Sequence, residues 1–427
     1  MGNTCGVYEA MWLARLHTAS AHALYLHIPF CARKCAYCDF SSWETKRDDP
    51  LMDRYAHAIG RQLAEVRALG LLDSCETAYV GGGTPTLLGA EALGGLVSQV
   101  RDACPQLVEL TCEANPDSLS DDVLRALADG GATRLSIGVQ SLDDEELRAL
   151  GRLHDAQTAR ERVAAAVASG FDVSVDLMCA IPHQSDHSWR ATLDGALALG
   201  VGHVSVYPLQ IEEDTPLVRQ LGDDDPAWHS SEVQAARMEA AEEALTQAGL
   251  HRYEVASYAK PSKACHHNQA YWTGLPYVGL GTGASSMLTC KAYQRLRSVW
   301  SGLPAVGDDV ARVRLTITSG RQAYAETSSL ARLHADLELL DEAQAAAEDL
   351  MLGMRMAAGA NPGLVEHARS VLGEQRVDDV LEHCVARGLA AWYGGRLVPT
   401  HEGWLLGNEL YGELWGLAEG SVRMASV

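Results

Sequence analysis

Cys31-Ala32-Arg33-Lys34-Cys35-Ala36-Tyr37-Cys38 is the stretch that decides the fold, because it places three thiols within eight residues. Thiolates bind zinc and iron–sulfur clusters. A cluster usually takes four cysteines, so a site built on Cys31, Cys35 and Cys38 leaves one iron open to a ligand that is not protein. The spacing therefore predicts a 4Fe-4S cluster with one open iron.

A structural zinc site is the alternative for the same three cysteines. Closed zinc sites take four ligands, so His27 or a distant cysteine would have to supply the fourth. Such sites usually contain two C-x2-C knuckles, and no second knuckle accompanies this triplet. The spacing favours the cluster.

Length and charge limit the architecture and the partners. A chain of 427 residues with 47% hydrophobic residues suits two or three globular domains. No apolar run is long enough for a membrane span, and the N-terminus lacks the pattern of a signal peptide. The net charge of -22 argues against nucleic acid and against general adsorption to anionic lipid.

Cysteine usage indicates the compartment. The chain has 11 cysteines, and those outside the triplet have no spacing typical of a disulfide framework. Such usage is typical of a reducing environment, which predicts a cytoplasmic protein. The composition leaves open a homodimer and peripheral contact with a membrane surface.

Short β-branched runs alternate with amphipathic helical patterns from residue 23 to about residue 210. The predicted strands are Ala23–His27, Thr77–Val80, Glu109–Cys112, Arg134–Val139, Val173–Leu177 and His203–Tyr207. The predicted helices are Asp53–Leu69, Ala90–Asp102, Ser120–Asp129, Ala156–Ser169 and Trp189–Leu199, with caps at Gly70, Gly130, Gly170 and Gly200. Repeated β–α units form a parallel sheet. Six units predict an α/β fold with a partial (β/α)6 barrel.

The remaining patterns suggest further domains. We predict an N-terminal extension (1–22), the barrel (23–225), a barrel extension and connector (226–335) and a helical, winged-helix-like C-terminal domain (336–427). The extension begins with a helix over Asp225–Gly249, and residues from about Ser298 to Leu340 read as a connector of low signal. In the last domain, Leu389–Pro399 predicts a hairpin turned at Gly394-Gly395.

Polar or glycine-rich residues follow or close the C-terminal end of every predicted barrel strand. In chain order they are the cysteine loop, Gly81–Pro85, Glu113–Pro116, Gln140-Ser141, Asp176 and Tyr207-Pro208. Functional residues of parallel α/β barrels lie past these ends. The six segments therefore predict one functional rim.

These segments resemble the radical S-adenosylmethionine (SAM) family that contains the anaerobic coproporphyrinogen III oxidases (HemN) and their relatives, the haem chaperones (HemW). The matching stretches are Tyr25–Cys31, Cys35–Phe40, Gly81–Thr86, Glu113–Asp117, Ser136–Ser141, Asp176-Leu177 and His267–Trp272, with a weaker match in Leu397–Trp415. The resemblance implies a 4Fe-4S cluster whose open iron takes the amino and carboxylate groups of SAM.

The resemblance also implies the ligand residues. Cys31, Cys35 and Cys38 would hold the cluster, and the SAM contacts would be Tyr25, Tyr37, Gly82, Gly83, Thr84, Glu113, Gln140, Arg152 and Asp176. Glycines permit close backbone approach to a ligand, so Gly83→Val is expected to weaken SAM binding and to leave the iron content intact. Carboxylates suit ribose hydroxyls or the ammonium, and Arg152 suits the carboxylate.

Three features favour the chaperone branch. The oxidases carry a further cysteine two positions after the third ligand, where this chain has Phe40, and they usually have a longer N-terminal arm. The H-N-x-x-Y-W segment, His267–Trp272, marks the chaperones. It implies haem as cargo, with His267 as the candidate ligand beside Tyr271 and Trp272, and haem-accepting proteins such as respiratory cytochromes as partners.

The oxidase stays open as the alternative. It would be an oxygen-independent coproporphyrinogen III oxidase that acts by a 5′-deoxyadenosyl radical in porphyrin biosynthesis, and the predicted rim is compatible with both functions. The chain departs from the family pattern at Ala180, where glycine is usual, and at Ser285, where histidine is common.

Overall fold

The computed structural model describes residues 18–213, 215–221, 227–418, 420 and 422–427. Cys5 and most of the predicted N-terminal extension therefore lie outside the described residues. Residues 18–22 pack against the body of the protein. The Ala21 amide donates to the Leu71 carbonyl at 2.8 Å, and the His22 amide donates to the Pro276 carbonyl at 2.8 Å.

Six parallel strands lie side by side in chain order. They are β1 (Ala23–Ile28), β2 (Thr77–Gly82), β3 (Glu109–Ala114), β4 (Arg134–Gln140), β5 (Asp172–Cys179) and β6 (His203–Pro208). The helices between them are Pro50–Ala68, Gly89–Ala103, Asp121–Gly130, Asp144–Ala149, Ala156–Ala168 and Asp186–Ala198. The predicted α/β fold and partial barrel are confirmed, and the predicted ends of these strands and helices differ from the observed ones by at most three residues.

One predicted helix cap is wrong by a single position. Gly130 is the last residue of its helix, and Gly131 takes the left-handed conformation at φ +92°. The side chain of Ser120 caps the other end by accepting from the Val123 amide. The reason is local: the helix ends where a residue without Cβ can adopt positive φ.

The two faces of the parallel sheet differ in polarity. One face carries apolar residues such as Leu24, Val80 and Val175, which belong to the main hydrophobic core. The other face carries polar side chains that contact each other across strands, including the hydrogen bond from Tyr79 to Glu113. Parallel sheets covered by helices on both faces are usually apolar on both. The polar face therefore marks the concave interior of the barrel.

The sheet continues past both edges of the barrel to 13 strands. Ser257–Ala259 and His251–Arg252 extend it beside β6. Beside β1 the order is Tyr277–Leu280, Ser285–Thr289, Arg312–Ile317, Ala335–Leu340 and Arg423–Ser426. The prediction of a connector from Ser298 to Leu340 is wrong, because two of these strands lie within it. The first of them alternates the buried residues Val313, Leu315 and Ile317 with more polar ones, which is the pattern of a half-buried strand, so the signal was present in the sequence.

Further helices lie between β6 and the C-terminal part, and only one of them was predicted from the sequence. They are Pro216–Leu221, Ser231–Gln247, His266–Trp272, Cys290–Arg297 and Arg321–Glu326. The helix predicted over Asp225–Gly249 begins at Ser231 and is capped by the side chain of Ser230, whereas residues 225 and 226 lie outside the described residues. In the described part of the chain, no helix is long and apolar enough to cross a bilayer.

The C-terminal part consists of helices around a small hairpin. The helices are Glu342–Gly353, Pro362–Leu372, Glu374–Ala386, His401–Leu405 and Gly407–Trp415. The predicted hairpin is present as Ala390–Tyr393 and Arg396–Pro399, with positive φ at Gly394 and Gly395. The strands Ala335–Leu340 and Arg423–Ser426 bracket this part and belong to the main sheet. The winged-helix comparison stays a prediction.

Candidate functional site

The cysteine loop is fixed at its base and at its centre. The two-residue strands Phe30–Cys31 and Trp43–Glu44 pair in parallel and close the base. At the centre, the Ala36 amide donates to the Leu150 carbonyl at 3.0 Å, and the Ala36 carbonyl accepts from the Leu217 amide at 2.8 Å. The loop is therefore held by segments that follow β1, β4 and β6.

Two side chains donate to cysteine sulfurs. Arg152 Nη1 lies 3.5 Å from Cys35 Sγ, and Thr84 Oγ1 lies 3.6 Å from Cys31 Sγ. Asn115 links the two donors: its Nδ2 donates to Thr84 Oγ1 at 2.9 Å, and its Oδ1 accepts from Arg152 Nη2 at 2.7 Å. Such donors stabilise thiolate ligands and orient them. The sequence places Asn115 on the predicted rim, two residues after Glu113, but only the structure shows this bridging role.

The three thiols influence one another. Burial raises the pKa of Cys38, and the charges of Cys35 and Cys31 raise it further. Burial also raises the pKa of Cys31. None of the cysteines in the described part of the chain forms a disulfide. The loop therefore presents three reduced sulfurs that are close enough to interact electrostatically.

The geometry argues against the zinc alternative with His27. The Nδ1 atom of His27 lies 2.9 Å from the Tyr25 hydroxyl, and its Nε2 lies 2.8 Å from the Ser41 carbonyl oxygen, so both nitrogens already have partners. Among the described residues, no three His, Cys, Asp or Glu side chains converge where one metal ion could bind. A cluster binds each thiolate to a different iron and needs no such convergence. The three sulfurs and their donors therefore fit a cluster.

The glycine run packs directly against the cysteine loop. The Gly83 amide donates to the Ile28 carbonyl at 2.8 Å. A Cβ at Gly83 would lie 2.7 Å from the Phe30 carbonyl oxygen and 3.0 Å from Cys31 Sγ, and one at Gly82 (φ +114°) would lie 2.6 Å from the His27 ring. The expectation for Gly83→Val is therefore corrected: the absent side chain makes room for the cysteine loop itself.

Glu113 is a half-buried carboxylate at the end of β3. Its Oε1 accepts from the Tyr79 hydroxyl at 2.9 Å, and its Oε2 accepts from the Gly82 amide at 2.9 Å. Burial raises the pKa of Glu113 to about 7, and the charge of Asp176 also raises it. The group is thus poised to change its ionisation when a cation binds beside it.

The other predicted rim residues lie nearby. The hydroxyl of Ser136 lies 3.3 Å from both carboxylate oxygens of Asp176, whose pKa is raised by burial. Gln140 has φ +68°. A Cβ at Gly138 would lie 3.0 Å from Gln140 Nε2 and 3.1 Å from Arg152 Nη2, so these side chains meet over Gly138.

Tyr25 and Tyr37 lie at different places on the rim. The ring of Tyr25 stacks on Tyr79, with centroids 6.3 Å apart. Tyr37 packs on the small apolar cluster that contains Leu150 and Leu217, under the cysteine loop. Burial raises the pKa of Tyr37. Of the nine predicted SAM residues, Tyr25 and Asp176 lie within β1 and β5, and the others lie near the C-terminal ends of strands or on the segments that follow them.

His267 lies inside the barrel and not on an open face. Its side chain is 1% exposed, its ring stacks on Tyr79 at 5.1 Å, and its Nδ1 lies 3.1 Å from Thr77 Oγ1. Its Nε2 has no hydrogen-bond partner among the described residues. Burial lowers the pKa of His267 to about 3, so the imidazole is neutral at physiological pH.

The aromatic residues after His267 do not form a flat porphyrin face with it. The ring of Tyr271 meets the His267 imidazole edge-on at 4.8 Å. The Trp272 Nε1 atom donates to Glu254 at 3.1 Å, and the guanidinium of Arg355 lies 5.1 Å from its ring. The expected arrangement of these three residues around haem is therefore not present in this conformation.

Glu109 fixes this segment and was missed by sequence reasoning. Its carboxylate accepts from the amides of His266 and His267, each at 2.9 Å, and from Cys265 Sγ at 3.4 Å. Glu109 and His267 are 158 residues apart in sequence. No local pattern connects them, so only the fold could reveal the contact.

Comparison with known proteins agrees with this geometry. The profile of the Radical SAM superfamily matches residues 25–196. The heme chaperone HemW of Mycobacterium tuberculosis is 32% identical over 401 residues, which cover 92% of this chain and 94% of that protein. The HemW of Bacillus subtilis is 31% identical over 92% of this chain and 98% of its own length. The HemW of Escherichia coli is 38% identical over 62% of this chain and 70% of its own length.

A solved structure has the same fold. The coproporphyrinogen III oxidase HemN of Escherichia coli superposes with a TM-score of 0.74 over 95% of this chain and 93% of that chain. The two sequences are 20% identical, so the likeness concerns the fold alone.

Proposed function

The chain belongs to the HemW family of radical SAM proteins, and we propose that it binds haem in the cytoplasm and delivers it to haem-accepting proteins. The observation that carries this proposal is the similarity to HemW proteins over nine-tenths of the chain. In support, the cysteine loop and its donors fit a 4Fe-4S cluster, and the rim residues fit SAM.

Each part of the proposed cofactor site has a role. Cys31, Cys35 and Cys38 would hold the cluster, while Thr84 and Arg152 donate to its sulfur ligands. When bound, a reduced cluster with SAM on its open iron would supply one-electron cleavage of the sulfonium. The chain itself orients the ligands, and the closely packed glycine run fixes the loop beneath them.

Carboxylates and donors around the loop would hold SAM. Glu113 and Asp176 are acceptors for its ammonium or ribose hydroxyls, and Arg152 is a donor for its carboxylate. Gly82, Gly83 and Thr84 supply backbone close to the cluster. Tyr25, Tyr37 and Gln140 line the same rim.

The haem ligand is the least constrained part. His267 stays our candidate, since a neutral imidazole binds iron. Because its Nε2 is buried, ligation requires the segment His266–Trp272 to move away from Tyr79. Phe40, whose side chain is 63% exposed, offers no thiol at the position where the oxidases carry one.

The test compares haem binding with porphyrinogen turnover in the reconstituted protein under anaerobic conditions. We expect stoichiometric haem binding, transfer of that haem to a haem-free b-type cytochrome, and no loss of coproporphyrinogen III in the presence of SAM and a reductant. A Cys31→Ala/Cys35→Ala variant controls for the cluster. Conversion of coproporphyrinogen to protoporphyrinogen would refute the proposed chaperone function and would support the oxidase function.

A further inference from the structure

Glu146 is a fully buried carboxylate behind the cysteine loop, and it has no role in the proposed site so far. Its side chain is 1% exposed, and no ion pair reaches it among the residues that the structure describes. It lies in the short helix Asp144–Ala149, between β4 and Arg152. A buried carboxylate without a cation needs several hydrogen bonds.

Three donors from the segments after β4 and β5 supply those bonds. The Ser141 hydroxyl donates to Oε2 at 2.6 Å, the Ser188 hydroxyl donates to Oε1 at 2.5 Å, and Gln184 Nε2 donates to Oε2 at 3.3 Å. Ser141 follows β4, Gln184 follows β5, and Ser188 begins the helix Asp186–Ala198. Glu146 thus joins the segment after β4 to the segment after β5.

The orientation of these donors requires an acceptor at both oxygens. The Ser141 hydroxyl already accepts from the Asp143 amide at 3.0 Å, and the Ser188 hydroxyl already accepts from the Ser185 amide at 2.9 Å. Gln184 also uses its Oε1 to accept from the Ala180 amide. A carboxylate satisfies all three donors, whereas a carboxamide would place an N–H group against one of them.

The helix that Glu146 anchors holds the cysteine loop. The Leu150 carbonyl accepts from the Ala36 amide at 3.0 Å. Two residues later, Arg152 donates to Cys35 Sγ at 3.5 Å and to the Gly138 carbonyl at 2.6 Å. The helix Asp144–Ala149 therefore determines where the Leu150 carbonyl and the Arg152 guanidinium lie.

We propose that Glu146 is a positioning residue, which sets where Arg152 and the Leu150 carbonyl stand relative to Cys35 and to bound SAM. The effect on SAM rests on the proposed function, whereas the effect on Cys35 can be measured in the metal-free chain.

The test pairs Glu146→Gln with its neighbour Glu145→Gln. Glu145 is in the same helix and its side chain is 64% exposed, so its substitution controls for the loss of one charge. In the reconstituted protein, Glu146→Gln should weaken SAM binding by about 10-fold, which corresponds to ~1.4 kcal/mol. The change that SAM causes in the EPR spectrum of the reduced cluster should shrink accordingly. Glu145→Gln should match the wild type.

A readout without metal separates this proposal from the cluster. In the metal-free protein, Glu146→Gln should change the rate at which iodoacetamide labels Cys35, because the Arg152 donor and the Leu150 carbonyl both shift relative to the loop. Peptide mass spectrometry measures this rate, with Cys290 as the internal reference. If the wild type holds no cluster and this change is still seen, the proposed function fails and the positioning role stands.

A double variant tests the hydrogen-bond polarity. The carboxamide of Glu146→Gln should turn its N–H group toward Ser188, because Oε1 faces one donor and Oε2 faces two. Adding Ser188→Ala removes the opposed donor and should restore part of the SAM affinity. Leu193→Ala, a core variant in the same helix as Ser188, controls for general loss of stability.

Either of two results would overturn the positioning role of Glu146. If Glu146→Gln lowers the melting temperature but leaves SAM affinity and Cys35 labelling at the values of the wild type, Glu146 only stabilises the fold. If Leu193→Ala, at equal loss of stability, changes SAM affinity and labelling as much as Glu146→Gln, the positioning role is also refuted.

Discussion

At the scale of single residues, donors aimed at the cysteine sulfurs are the feature that most constrains the chemistry. Arg152 and Thr84 each reach a sulfur, and Asn115 connects them. Hydrogen bonds to thiolate ligands tune a cluster and fix its geometry. This network ties Cys31 and Cys35 to the same three side chains.

Cys35→Ala should abolish the cluster. Two thiolates cannot hold a cubane that takes three or four, so reconstitution should give about four irons per chain in the wild type and almost none in the variant. Iron and labile sulfide analysis measures both. Cys290→Ala, outside the loop, is the control. Stoichiometric zinc without labile sulfide in the wild type would restore the zinc alternative.

Gly83→Val should now reduce iron content as well as SAM binding. Its Cβ would contact the Phe30 carbonyl oxygen and Cys31 Sγ, so the cysteine loop must shift to accommodate the side chain. Gly95→Val is the matched control, because a Cβ there would have no neighbour within 4 Å. Full iron content in Gly83→Val with weakened SAM binding would instead mean that the glycine run contacts SAM without supporting the cysteine loop.

Glu113 should make SAM binding depend on pH. Its pKa of about 7 in the free protein means that it is protonated at lower pH, and a cationic ligand favours the ionised form. SAM affinity should therefore rise with pH up to about 7 and fall by roughly 10-fold for each unit below it. Glu113→Gln should bind more weakly with no such dependence. An unchanged pH profile in that variant would assign the titration to another group.

At the scale of elements, the segment His266–Trp272 depends on a strand far away in sequence. The Glu109 carboxylate on β3 accepts hydrogen bonds from the Cys265 thiol and from the amides of His266 and His267, at the N-terminal end of this segment. The helix has only seven residues, so tertiary contacts and not helix propensity must hold it.

Glu109→Ala should lower the free energy of unfolding by about 1–3 kcal/mol, because two backbone amides lose a buried acceptor. Urea denaturation measures this change, and Glu91→Ala on the exposed face of the helix Gly89–Ala103 is the control. Haem titration of the same variant tests the functional side. If the segment must move for His267 to bind iron, haem affinity should be retained or increased, whereas a marked loss would show that the packed conformation binds haem.

At the scale of the whole molecule, a buried ion pair joins the sheet to the C-terminal helices. Arg312 donates through both Nη atoms to Asp349, at 2.8 and 2.6 Å. Arg312 is in the strand Arg312–Ile317, and Asp349 is in the helix Glu342–Gly353. Both side chains are nearly inaccessible to solvent.

Asp349→Ala should be strongly destabilising, by about 3 kcal/mol, because it leaves the Arg312 charge buried without its main partner. Glu366→Ala, which removes an exposed ion pair with Arg369, should cost less than about 1 kcal/mol. Denaturant unfolding of both variants measures the difference. Equal effects would mean that Glu348, 3.8 Å from Arg312, already balances its charge.

The sequence by itself determined the barrel, the cysteine site and the rim. Strands and helices followed from local periodicity, and helix ends followed from residues that tolerate positive φ. The rim could be predicted because the C-terminal ends of parallel strands share one edge of the sheet. None of these inferences needs the position of a residue distant in sequence.

Only the tertiary structure decided what each side chain faces. The burial of His267, the role of Gly83 against the cysteine loop and the anchoring of Glu146 and Glu109 depend on contacts between residues 38 to 158 positions apart or on close packing of separate loops. The strands Arg312–Ile317 and Ala335–Leu340 are a different case, because their alternating apolar residues, such as Val313, Leu315 and Ile317, could be read from the sequence. What only the tertiary structure decided there is that Arg312 and Arg314 pair with carboxylates of a neighbouring strand and of a helix, which lets these charges be buried.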